Sequence, residues 1–192
     1  MTGMIHQTSH FIWVAAVVAG VAMVVMAALH DIVARTVPNP LVLAIAYAGL
    51  LAQGAVLAES AALTDGLISV GWALLASVLV FVAAALAWRR GWMGGGDVKL
   101  LGACALLLPA FLVPTLLVAT SLAGGVLSLI YLVARRRLAR PGPGRAISLL
   151  ARVLKAERWR LRRGGPLPYA VAIAGGACFV VSRLMTQNGV LP

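Results

Sequence analysis

FIWVAAVVAGVAMVVMAAL, Phe11 to Leu29, is 19 residues without a charge, and His30-Asp31 follows it directly. A helix crossing a bilayer core takes about 20 apolar residues, so this stretch reads as one crossing. Further uncharged runs cover Pro40–Ala58, Gly66–Trp88, Leu100–Ala134 and Pro166–Ser182. Of 192 residues 62% are hydrophobic and 11% charged, more apolar surface than a water-soluble fold of this length can bury. The chain therefore reads as an all-α, polytopic membrane protein, one membrane-embedded domain over residues 1–192 with no detached soluble domain. The segment before Phe11 has no Lys or Arg, unlike the n-region of a cleaved signal. The first run is expected to be a retained helix.

Leu100–Ala134 is 35 residues, long for one span and tight for two. Pro109 and Pro114 predict a hairpin near its middle, because proline breaks the helical ladder. Charge agrees. Of 16 Lys and Arg, 11 fall between Arg135 and Arg163, so that loop is expected in the cytoplasm. Two spans return Arg89 and Arg90 to the same side. The total is six helices, the fourth short, with the amino terminus and the Glu59–Asp65 loop outside. Only Arg183 falls on the wrong side of this topology.

The basic loop, residues 135–165, spaces Ile147, Leu150, Leu154 and Leu161 at roughly helical intervals among Arg152, Arg158 and Arg162. That pattern predicts an amphipathic helix lying on anionic membrane lipids. A nucleic-acid partner is not expected. Trp88 and Trp92 bracket Arg89 and Arg90, as interface anchors do.

The chain holds five acidic residues, and acids in or at the edge of a membrane are candidates for function. The topology places Asp31, at the end of helix one, and Asp97, at the start of helix four, at the same depth. Each has a plain reading beside the functional one. Asp31 could pair with Arg35 one turn on, and Pro38-Asn39-Pro40 stops one helix and starts the next. Asp97, after Gly94-Gly95-Gly96, could simply cap a helix. The glycines could also permit unusual backbone angles or the close approach of a peptide or a helix. Ala103, on the same helix, is expected to face lipid or loose packing and to tolerate bulk.

Asp31 with Arg35 and Val37-Pro38-Asn39, then Gly94-x-Gly96-Asp97-x-Lys99-Leu100, resembles the prepilin peptidases, membrane aspartyl proteases with a GxGD motif. Gly165-Pro166-Leu167-Pro168-Tyr169-Ala170 is similar to that family's final segment. The resemblance implies removal of leaders from type IV or Flp-type prepilins and pseudopilins, at a bacterial cytoplasmic (inner) membrane. Asp31 and Asp97 would be the catalytic pair, with Gly94, Gly96, Lys99, Arg35, Pro38 and Asn39 as the supporting motif. The chain is similar to the short, tight-adherence branch without the cysteine-bearing methyltransferase region, so peptidase activity alone is expected.

The chemistry stands on the residues as well. Peptide hydrolysis needs water deprotonated and a carbonyl protonated. Two close carboxylates cannot both ionise cheaply, so one keeps a proton and both roles are filled. Helix amides favour Asp97 as the ionised base and leave Asp31 as the acid. Lys99 is expected to meet phosphate headgroups. No metal and no cofactor is expected: His-Glu-x-x-His is absent, and His6, His10 and His30 all precede the second helix. His30 reads as an interfacial polar residue, and Cys104 and Cys178 as small core residues. The alternative is a small ion-coupled transporter with buried aspartates and a glycine-broken helix. Against it, the acids sit at a membrane edge and inverted halves are not apparent.

Overall fold

A computed structural model of the chain describes residues 2–137, 159 and 167–187. Among them are six α-helices and no strand: α1 (Thr2–Ala34), α2 (Asn39–Glu59), α3 (Leu63–Arg89), α4 (Gly95–Leu106), α5 (Val113–Arg137) and α6 (Tyr169–Gln187). All except α4 contain a stretch long and apolar enough to cross a membrane. The all-α, multi-pass reading holds. The amphipathic helix expected over 145–163 lies outside the described residues, apart from Trp159.

The short helix organises the bundle. At 12 residues, α4 is about 18 Å long at 1.5 Å per residue, short of the roughly 30 Å hydrocarbon core. It is surrounded by α1, α2, α3 and α6, and every residue from Leu100 to Leu108 is buried. A helix apolar on all sides belongs in a core, so Ala103, only 7% exposed, has no tolerance for bulk. That corrects the lipid-facing expectation.

Ending α4 inside the membrane leaves carbonyls that water cannot reach. Gln53 of α2, buried, donates from Nε2 to the Leu106 carbonyl at 2.9 Å and to the Leu108 carbonyl at 3.4 Å. Ser77 of α3 donates to the Gly102 carbonyl at 2.9 Å. The predicted hairpin follows at Pro109 with a 3-10 turn over Ala110–Leu112. Pro114 falls in the first turn of α5, where its missing N–H costs no helical bond.

Around this centre, α3 and α5 turn Leu67, Ile68, Leu75, Leu79, Leu122, Val126 and Leu129 outward. A water-soluble protein rarely exposes so continuous an apolar face; in a bilayer the acyl chains cover it. Small residues let α5 and α6 close: a Cβ on Gly176 would collide with Thr120 of α5, the close approach that membrane helix pairs favour.

Candidate active site

The polypeptide leaves α1 through Arg35, whose φ of 56° is left-handed, as residues just past a helix end often are. The Arg35 amide donates to the Asp31 carbonyl at 2.8 Å. His30 Nδ1 donates to the Thr36 carbonyl at 2.7 Å, which gives the histidine a local role in the turn. Pro38 then stands as N-cap of α2 and accepts from the Leu41 and Val42 amides. This turn leaves Asp31 on the last turn of α1, 7% exposed.

Asp97 approaches from the other motif. Gly94 is the N-cap of α4, so Asp97 is its third helical residue rather than its cap. The Asp97 amide donates to the Gly94 carbonyl at 3.1 Å, and a hydrogen bond from the Gly94 backbone reaches the Asp97 carboxylate. This is the geometry of the acid in a capping box.

The glycine run works by space, not by unusual angles. Gly94 has φ −73°, and among the described glycines only Gly91 has a positive φ, 75°. A Cβ on Gly94 would lie 2.8 Å from Asp97 Oδ2, and one on Gly95 would lie 3.3 Å from Trp88 Nε1. A Cβ on Gly96 would lie 3.2 Å from Val37 Cβ. Each glycine admits a neighbour that a side chain would displace.

Asp31, Arg35, Gly94 and Asp97 line one cavity of about 590 Å³, with Ala87, Gly91, Trp92, Met93, Leu167 and Tyr169. The volume falls within the roughly 300–1,000 Å³ typical of ligand clefts. Both acids therefore meet at one end of the bundle, from helices that run in opposite senses. Lys99 lies outside this lining and donates from Nζ to Asn39 Oδ1 at 3.1 Å, tying α4 to the start of α2. Pro38, Asn39 and Gly96 likewise lie outside the lining.

Asp97 lies outside the five candidate spans, and its carboxyl is raised from 3.8 to about 6. Burial is the main cause, and the Asp31 charge adds to it. The Gly94 hydrogen bond opposes both without overcoming them. Desolvation penalises the charged form, so burial favours the protonated form of Asp97.

Sequence reading had not placed Tyr169, Leu167 or Met93 at the site. Tyr169 and Leu167 had only the likeness of their segment to a family pattern, and Met93 had only its place beside the glycines. Among the described residues no three His, Cys, Asp or Glu side chains gather as metal ligands could.

No curated protein and no solved structure matches the chain. A sequence model of the type IV leader peptidase family matches residues 13–129, more than half of the chain, running from α1 into α5 and including both aspartates. With that match over a bundle of membrane helices, the chain belongs to the type IV leader peptidase family.

Proposed function

We propose that the protein is an aspartyl endopeptidase in which Asp31 and Asp97 act as one dyad. It removes leaders from type IV or Flp-type prepilins and pseudopilins at the cytoplasmic face of a bacterial inner membrane. The observation that carries this reading is the shared cavity, which brings together two acids 66 positions apart in sequence.

We assign the shared proton to Asp97, whose burial favours its protonated form. A water held between them loses a proton to ionised Asp31 and attacks the scissile carbonyl carbon. Asp97 gives its proton to the carbonyl oxygen, forming a neutral tetrahedral diol. Collapse of the diol breaks the C–N bond as Asp31, now protonated, passes its proton to the leaving nitrogen and Asp97 takes one back from a diol hydroxyl. The pair titrates as a unit, so the dyad holds one proton up to about pH 6, the value reached by Asp97. The acids sit at one end of the bundle, where a soluble leader could reach them, rather than midway across as ion coupling would favour. On its charge, the basic 135–165 segment is assigned to the anionic membrane surface.

Co-expression with candidate pilin precursors from the same genome tests the reading, with leader removal followed by mass spectrometry. The parent should cleave, while Asp31→Asn and Asp97→Asn should each accumulate precursor at matched membrane abundance. Near-normal processing by either variant under limiting enzyme would show that the assigned pair is wrong.

A further inference from the structure

Tyr169 is the first residue of α6 and lines the cavity that holds both acids. It lies close enough to Asp97 for the two groups to interact electrostatically. Its backbone is fixed on both sides. The Tyr169 amide donates to the Leu167 carbonyl at 2.9 Å, and the Val171 amide donates to the Pro168 carbonyl at 3.0 Å. Pro168 and the following Ala170 and Ile173 are buried.

The ring packs against a neighbouring helix. It rests against α5 at Gly124, where a Cβ would stand 2.9 Å from Tyr169 Cε2 and 3.6 Å from its hydroxyl oxygen. A larger residue on that turn of α5 would push the ring out of place. That packing restricts where the phenol can lie at the cavity wall.

The cavity wall otherwise offers two carboxyls, the Arg35 guanidinium, the indole of the largely exposed Trp92 and mostly apolar surface. During hydrolysis negative charge develops on the scissile carbonyl oxygen until Asp97 protonates it. A fixed neutral donor suits that moment, because it needs no reorganisation and brings no further charge into the site. An ionised donor would instead act on both carboxyls and disturb the unequal sharing of their proton.

We propose that the Tyr169 hydroxyl is a third catalytic group, donating a hydrogen bond to the scissile carbonyl oxygen as the tetrahedral intermediate forms. The proposal rests on the aspartyl dyad described above. The phenol keeps its proton throughout; only the hydrogen bond strengthens as charge grows on the oxygen.

Tyr169→Phe removes the hydroxyl and keeps the ring in the Gly124 notch. For the purified, lipid-reconstituted protein and a prepilin peptide, kcat should fall about 10²–10³-fold, as on loss of one oxyanion donor. KM should stay nearly constant. A peptide with a hydroxyethylene group in place of the scissile amide should lose affinity for Tyr169→Phe. An uncleaved peptide should bind Asp97→Asn equally well with Tyr or Phe at 169. Unchanged kcat in Tyr169→Phe, or a loss confined to KM, would overturn the role. If Tyr169→Phe is poorly inserted, Gly124→Ala replaces it: the hydroxyl remains, the added methyl displaces the ring, and kcat must still fall. Failure of the dyad is distinct, since it would appear as cleavage by Asp31→Asn or Asp97→Asn whatever occupies 169.

Discussion

Lys99 on α4 donates from Nζ to Asn39 Oδ1 at the start of α2, 3.1 Å away. The bond joins two short motifs that sequence keeps 60 residues apart. A few residues away the same two segments meet again, where Gly96 lets α4 rest against Val37. Together these contacts join the start of α4 to the turn between α1 and α2, beside Asp97. An exposed hydrogen bond of this kind contributes about 1 kcal/mol, a small share of the stability of the bundle.

Proton linkage at Asp97 gives a prediction with a definite sign. Its folded value of about 6 lies above the ordinary 3.8, so the folded state binds the proton more tightly. That contribution to stability is fully present below pH 3.8 and is lost as pH rises through about 6. The melting temperature of the parent should fall over this window relative to that of Asp97→Asn, which has no proton to lose. Parallel profiles for the two proteins would contradict the raised value. Activity should decline over the alkaline part of the same window as the dyad loses its shared proton.

Overpacking at Gly96 tests the close approach. Gly96→Val places branched carbon against Val37, and overpacking costs about 1–3 kcal/mol. That corresponds to a drop in processing of about 5- to 160-fold if it falls on the position of Asp97. Ala83 on α3 is exposed, so Ala83→Val should process like the parent. Precursor and product are compared at equal membrane abundance, and equal processing by Gly96→Val and Ala83→Val would show that contact with Val37 does not position Asp97.

Gln53 should matter for stability before it matters for chemistry. Gln53→Leu leaves the Leu106 and Leu108 carbonyls without their side-chain donor, at about 1–3 kcal/mol. Thermal unfolding in lipid should shift down by about 2–4 °C for each kcal/mol. The turnover of the folded fraction should change little, because Gln53 lies outside the cavity lined by the acids. A large kcat loss with unchanged melting would assign Gln53 a different role.

Topology can be read directly. Reporter fusions after Ala134 should report cytoplasm, and fusions between Glu59 and Asp65 should report the outside. The reverse result would place the cavity on the external face and remove it from cytoplasmic leaders.

Sequence by itself determined the class of fold and the two acids. Uncharged runs near the length of a bilayer crossing admit few other structures, since backbone polar groups must be satisfied within the membrane. Scarcity made Asp31 and Asp97 conspicuous, and the charge of the 135–163 segment set their expected depth. Pro109 marked the hairpin that shortens α4. Tertiary structure alone decided the rest. Helix amides near Asp97 are a local feature and pointed to an ionised carboxylate, but burial and Asp31, which arrive only with packing, raise it to about 6. The glycines beside Asp97 could have served backbone angle or space; Val37 and Trp88, brought in from α1–α2 and α3, make it space. Ala103 became core because four helices surround α4, and Tyr169 joined the site because Gly124 admits its ring. Most of these depend on contacts between residues distant in the chain, and such contacts leave no periodicity for a sequence to display.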